Sequence, residues 1–278
     1  MIRLQAGDWQ AEILPARGAR VMSLRWMGKP VFREPASPAE LEENPMLYGM
    51  PFLFPPNRTE GGRFSFEGNE YRLPINEPAR DNHIHGLFAD APFSVTDVCG
   101  NCLVSVLENT GRWFPFSCRI EMRDTLSERG FQRETSIRNT GSGRMPVEIA
   151  FHTTFTEPGA VKIPLSLRWE TDGRYLPTGR MLPLTVFEEE LCRGAERRKE
   201  TISGFYTAAA HTAQIGRLSY TVSENFTDWV LFNGGGQEWL CIEPQSGPVN
   251  GLNRPDCRVL EPGASVCFQQ FIGIESFC

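Results

Sequence analysis

An all-β fold, built as one large antiparallel β-sandwich, is what this sequence predicts. Three observations lead to it. Short runs of alternating apolar and polar residues recur from end to end, as half-buried strands require. The runs are punctuated by an excess of turn formers, 26 glycines and 21 prolines in 278 residues. Helical signals are almost absent.

In chain order, the first strands are Gln10–Leu14, Ala19–Trp26 and Arg63–Phe66. Between the last two, Ser37-Pro38-Ala39-Glu40 has the form of a capping box with proline at the first helical position. Pro45 stops that helix after one or two turns. Phe93–Val98 and Leu103–Leu107 flank Cys99-Gly100-Asn101-Cys102, a two-residue hairpin turn with a cysteine on each shoulder. Redox or metal chemistry is the other use of such a pair, although the second Cys-x-x-Cys of a zinc ribbon is missing. Ser117–Arg123 follows, then Phe131–Asn139 and Met145–Phe155 on either side of the turn Thr140–Arg144. The charged stretch Glu188–Glu200 reads as a solvent-facing connection, with a solvated helix as the alternative. The last strands are Leu218–Ser223, Trp229–Asn233, Trp239–Ile242 and Ser265–Ile274. No linker or fixed-period repeat divides the chain, and residues 1–278 read as a single domain, a length that β-rich folds commonly keep whole.

The net charge of −6 and pI near 5.4 argue against a general nucleic-acid binder, which needs a basic footprint. A small anionic ligand held by a few arginines is compatible with this balance. No apolar run approaches the ~18 residues of a membrane helix, and Met1–Trp9 lacks the apolar core of a signal peptide. A soluble cytoplasmic protein, with no membrane or nucleic-acid partner, is therefore expected. The eight cysteines (99, 102, 118, 192, 241, 257, 267 and 278) are mostly scattered and read as free thiols.

Four histidines invite scrutiny, at 83, 85, 152 and 211. In Asn82-His83-Ile84-His85-Gly86, an extended backbone would project both rings on one face. Such a pair suits a metal site, a loop tied by hydrogen bonds, or sugar and acid–base work. The glutamate that cupin-like metal sites add a few residues later is missing, which counts against metal. His152 follows the alternation Val147, Ile149, Phe151 and so falls on the polar face with Glu148, Ala150 and Thr154. That suits a wet cleft, although pattern alone favours plain solvent exposure. Glu243 follows an apolar run and precedes Pro244, which forces it extended and ends the ladder there. It is either a catalytic carboxylate mounted at a strand end or, as pattern alone favours, a surface glutamate.

Taken in order, these blocks resemble the aldose 1-epimerase (galactose mutarotase-like) family. Asn57-Arg58, Gly62-Arg63-Phe64 and Tyr71-Arg72-Leu73-Pro74-Ile75-Asn76 are similar to the family's Asn-Arg, Gly-Arg-Phe and Tyr-x-Leu-x-x-Asn run. Asn82-His83-Ile84-His85-Gly86 resembles its Asn-x-Leu-His-Gly. His152 after an apolar strand, Cys241-Ile242-Glu243-Pro244-Gln245-Ser246-Gly247-Pro248 and Leu260-Glu261-Pro262-Gly263 complete the likeness.

The resemblance implies a galactose mutarotase-like supersandwich with a sugar cleft on one sheet. It implies Glu243 as general base at the anomeric hydroxyl and His152 as general acid at the ring oxygen. It further implies that His85 and Arg58, with Asn57, His83 and Gln245 beside them, bind the sugar, and that neither cofactor nor metal takes part. The chemistry suits these residue types independently, because opening a hemiacetal needs a proton removed at one oxygen and delivered at its neighbour. Trp113, Phe114, Phe116 and Trp229 are available to stack on a pyranose, although most of them suit the core.

Some positions depart from the family pattern. His85-Gly86 is followed by Leu87 instead of a second glycine, and His152 by Thr153-Thr154 instead of proline and an aromatic. His83 stands where histidine is unusual, and Asp172 and Asp228 are the candidates for the substrate-binding aspartate. Arg80, Arg112 and Arg174 leave open an anionic sugar such as a hexose 6-phosphate. A non-catalytic sugar-binding protein is the alternative from a different class.

Overall fold

The computed structural model describes residues 1–156, 158–196, 200–235 and 238–274. They form antiparallel sheets with two short α-helices. A nine-stranded sheet runs in the order Ser94–Cys99, Cys102–Thr110, Ser117–Ser127, Gly130–Asn139, Ser265–Gly273, Leu218–Val222, Thr212–Ile215, Ala160–Lys162 and Ala195–Glu196. An eight-stranded sheet runs Pro177–Leu182, Leu165–Thr171, Ser203–Ala208, Asp228–Phe232, Trp239–Gln245, Ala150–Phe151 and Phe52–Leu53, with Thr154–Thr156 also pairing Trp239–Gln245. One apolar cluster joins them, with Ile120, Ile137 and Phe268 from the first sheet and Phe52, Phe151, Leu231 and Ile242 from the second. It also takes in Trp9, Ile13 and Leu24 from a four-stranded N-terminal sheet.

Most of the runs expected from alternation lie within a residue or two of an observed strand, although Ser117–Ser127 extends four residues past Arg123. Leu165–Thr171, Pro177–Leu182, Ser203–Ala208 and Thr212–Ile215 are strands that alternation did not single out. The Cys99–Cys102 hairpin forms as expected, with the two cysteines as register partners. The seven cysteines among the described residues are free, while Cys278 lies outside them. Ser37 caps helix Pro38–Glu43 by accepting the Glu40 N–H.

Three expectations need correction. Met145–Phe155 is three strands, and it does not pair with its neighbour across the Thr140–Arg144 turn. Met145–Val147 instead pairs with Arg258–Leu260, while the rest joins the eight-stranded sheet. The charged stretch opens with a true helix, Val186–Arg193, whose capping box of Thr185 and Glu188 is complete. Its Leu191 and Glu188 are buried, and Glu188 accepts the Tyr206 hydroxyl at 2.7 Å, so this face packs inward. Residues 197–199 of that stretch lie outside the described residues. Lastly, Trp239–Gln245 runs straight through Glu243 and Pro244.

Candidate active site

The strand Trp239–Gln245 organises the site. Along one side it pairs with two short strands, Ala150 opposite Gln245 and Thr154 opposite Cys241. His152, midway between them, therefore stands opposite Glu243. Along the other side, Val230 pairs with Glu243 and Phe205 with Val230, while Phe232 pairs with Cys241 and Ser203 with Phe232. Two adjacent rows across four neighbouring chain segments thus carry one floor.

The break at His152 follows from Pro244. The amides of Ile242 and Ser246 donate to the carbonyls of Thr153 and Ile149, at 2.9 Å each. By alternation, the amide of residue 244 would serve Phe151, but proline has none. The Phe151 carbonyl instead accepts the Thr153 N–H at 2.9 Å, an i to i+2 turn centred on His152. On the other side of the chain the His152 amide continues the register of Phe151 with Phe52 by donating to Pro51 at 3.0 Å.

This arrangement puts His152 Nε2 3.3 Å from Glu243 Oε1. His152 is 5% exposed and Glu243 2%, so the readings favoured by pattern alone, a solvent-exposed histidine and a surface glutamate, are both overturned. Burial opposes charge on each. It pushes the His152 imidazole down to about 4 and Glu243 well above the usual carboxylate range, against a smaller opposing pull from Arg58. Burial thus favours the neutral form of each partner, and the short contact lets a proton pass between them.

A second wall comes from residues 57–86. Arg58 pairs with Ile84 in a two-stranded ladder. The chain then turns at His85, whose φ of 65° is left-handed, with its N–H donating to Asn57 O at 2.8 Å. Gly86 follows at φ 64°, where a Cβ would sit 2.1 Å from the Phe54 carbonyl oxygen; only glycine fits. The left-handed turn breaks the alternation assumed for His83 and His85. His85 meets His152 edge-to-face, centroids 5.2 Å apart, and burial holds it neutral, its pKa well below the ordinary value. The His83 ring is buried elsewhere, its Nδ1 2.6 Å from Pro74 O.

The cavity between these walls has a volume of about 290 Å³, near the lower end of small-molecule sites at roughly 300 Å³. Asn57, Arg58, His85, His152 and Glu243 line it, whereas His83 and Gln245 do not. Glu77 holds Arg58 in a fork, Nε at 2.8 Å and Nη2 at 2.9 Å, and also accepts from Arg80 at 3.0 Å. Both guanidiniums stack on Tyr175, 4.8 and 4.7 Å from its centroid.

Sequence reasoning missed Tyr175, Phe205, Val230 and Phe232, which line the cavity. The last two were accessible from alternation along Trp229–Asn233, but only once its register against Glu243 is known. None of Trp113, Phe114, Phe116 and Trp229 lines the cavity; Phe114 and Trp229 are buried in the core. Asp172 caps its own turn, accepting the Arg174 and Leu176 amides. Asp228 is buried, accepting the Trp169 indole N–H at 2.7 Å and the Thr227 hydroxyl. Among the described residues, one group of potential metal ligands converges: His152, Cys241 and Glu243. No described helix is long and apolar enough to cross a membrane.

A galactose mutarotase-like protein of Clostridium acetobutylicum superposes with a TM-score of 0.90 at 25% identity, over 99% of this chain and 95% of that one. A putative aldose 1-epimerase of Escherichia coli K12 shares the fold, with a TM-score of 0.85 at 18% identity over 98% of each chain. Rat galactose mutarotase is 26% identical over 254 residues, 74% of this chain and 72% of that protein. An uncharacterized Escherichia coli protein, YihR, is 27% identical over 158 residues, a match spanning 56% of this chain and half the length of YihR. The sequence profile of the family described as aldose 1-epimerase matches residues 1–270. With nearly its whole length matched, the chain belongs to the aldose 1-epimerase family, a family of isomerases.

Proposed function

We propose that the protein interconverts the α and β anomers of an aldose by acid–base ring opening, without a cofactor. The observation that carries this reading is the contact between His152 and Glu243, 3.3 Å apart at the floor of a sugar-sized cavity. In the charged arrangement of the pair, Glu243 accepts the proton of the anomeric hydroxyl while His152 donates to the ring oxygen. The C1–O5 bond breaks, O1 becomes the aldehyde oxygen, and the pair is left as carboxylic acid and neutral imidazole. Rotation of the aldehyde and the reverse transfers close the ring on the other face. The pair has zero net charge at both ends of the cycle, so a dry cleft need not stabilise an uncompensated ion. Arg58, fixed by Glu77, and neutral His85 are placed to hold hydroxyls and stabilise charge developing on oxygen.

Anomer exchange followed by NMR tests the reading. Glu243→Gln keeps the shape of the side chain but cannot take a proton, so exchange should fall at least ~100-fold while sugar binding persists. Near-normal exchange in that variant on its best sugar would leave a sugar-binding protein in place of an enzyme.

A second reading concerns the substrate. Arg80 lines the cavity beside Arg58, and the two share one carboxylate, Glu77. The mouth of the cleft is therefore cationic in a chain of net charge −6, which favours a sugar bearing an anionic group. Across a panel of neutral and phosphorylated aldoses, Arg80→Gln should lower kcat/KM about 10-fold or more for anionic substrates only, the scale of one charged hydrogen bond. Equal losses on neutral sugars would remove the anionic reading.

A further inference from the structure

Beneath the floor of the cleft lies a third reactive group that acid–base chemistry does not use. Cys241 lies two residues before Glu243 in the same strand, so their side chains share a face. The Cys241 sulfur, a Glu243 carboxylate oxygen and a His152 ring nitrogen all lie within 4.8 Å of one another, and all three residues are buried.

We propose that these three side chains form an inhibitory site for a thiophilic divalent cation such as Zn²⁺ or Cd²⁺, reached through the sugar cleft. Imidazole, thiolate and carboxylate are a donor set that zinc takes. Bonds of about 2.0 Å to nitrogen and oxygen and about 2.3 Å to sulfur give a tetrahedron with edges of roughly 3.3–3.5 Å. The His152–Glu243 edge already measures 3.3 Å, so only the sulfur must close in. Thr154 Oγ1 lies 3.3 Å from Cys241 Sγ, where its hydroxyl can donate to a thiolate and orient it. His152 and Glu243 line the cavity, so a cation held between them would be reached from that side and could take a water or a sugar hydroxyl as its fourth ligand. Binding releases the thiol proton to solvent, because the thiolate is the form that ligates. Inhibition rests on the acid–base reading above, because the cation would occupy both proton carriers; binding itself does not.

The test uses the full chain with Cys99 and Cys102 both replaced by serine, which removes the thiol pair of the hairpin and leaves the cleft untouched. Cd²⁺ is titrated against the ultraviolet thiolate-to-metal charge-transfer band, and Zn²⁺ against anomer exchange. Adding Cys241→Ser should remove a saturable band and raise the Zn²⁺ needed for half-inhibition at least ~10-fold, with unchanged exchange in chelator. Cys241→Ala replaces it if the serine variant does not fold. A band of the same size and midpoint with and without Cys241 overturns the site. A band that depends on Cys241, together with exchange indifferent to Zn²⁺, upholds the site and overturns the assignment of His152 and Glu243 as proton carriers. If no sugar exchanges, the band alone decides.

Discussion

At the scale of single residues, the carboxylates in this sheet show how burial sets charge. Glu148 is buried in a gap where a Cβ on Gly247 would lie 2.5 Å from its carboxylate oxygen. It accepts the Ser246 hydroxyl at 2.7 Å, yet burial outweighs that bond and raises its pKa to about 7. In the unfolded chain a glutamate titrates near 4.5. The folded state thus holds the proton more tightly, and its stabilising share is complete below 4.5 and lost as pH rises through 7. Denaturant unfolding should show a loss of up to about 3 kcal/mol between pH 5 and pH 8, and Glu148→Gln should flatten that slope. His152 contributes in the opposite sense, since its lowered pKa costs stability as pH falls from 6.5 toward 4. Comparison with the glutamine variant separates the two. An unchanged slope would mean that Glu148 stays ionised in the fold.

Single elements explain which parts of the site were legible. Alternation placed His152 on the polar face, and that face proved to be the floor of the cavity. What alternation could not supply was its depth, because burial of a polar face depends on the wall of residues 57–86 arriving from another part of the chain. The sequence presents His83 and His85 as one pair because nothing in it marks the left-handed turn at His85. Pattern alone ends the strand before Glu243 because proline normally ends a ladder. Here its missing N–H falls opposite the turn at His152, where the Phe151 carbonyl is already satisfied by Thr153. That compensation yields a prediction for the element. Pro244→Ala restores an N–H that competes for the Phe151 carbonyl, straightens the turn and draws His152 away from Glu243. Exchange should drop about 10- to 100-fold, as expected for a small misplacement of a catalytic group, while Tm stays within a few degrees of the parent. Full activity in this variant would mean that the wall, not the turn, holds His152.

At the scale of the whole molecule, a buried charge pair sits where the layers meet. Asp124 and Arg133 face each other as register partners in the nine-stranded sheet, both fully buried. Arg133 donates from Nε and Nη2 to the carboxylate at 2.7 and 2.8 Å, and from Nη2 to the Ala19 carbonyl at 2.6 Å. Its guanidinium also lies 5.9 Å from the Phe151 ring, the residue before His152. One side chain therefore touches the nine-stranded sheet, the N-terminal segment and the strand that leads into the proposed acid. Removing one charge strands the other without water, which typically costs about 3–5 kcal/mol, whereas an apolar pair of similar volume is often neutral or better. Asp124→Asn should accordingly destabilise the chain by about that amount in denaturant unfolding. Asp124→Leu combined with Arg133→Met should recover most of the loss, though not all, because the Ala19 carbonyl then has no donor. The recovered protein should still exchange anomers more slowly than the parent if Arg133 helps to seat Phe151 and, through it, His152. A single variant as stable as the double one would mean that water reaches this pair and that the layers are held by apolar packing alone.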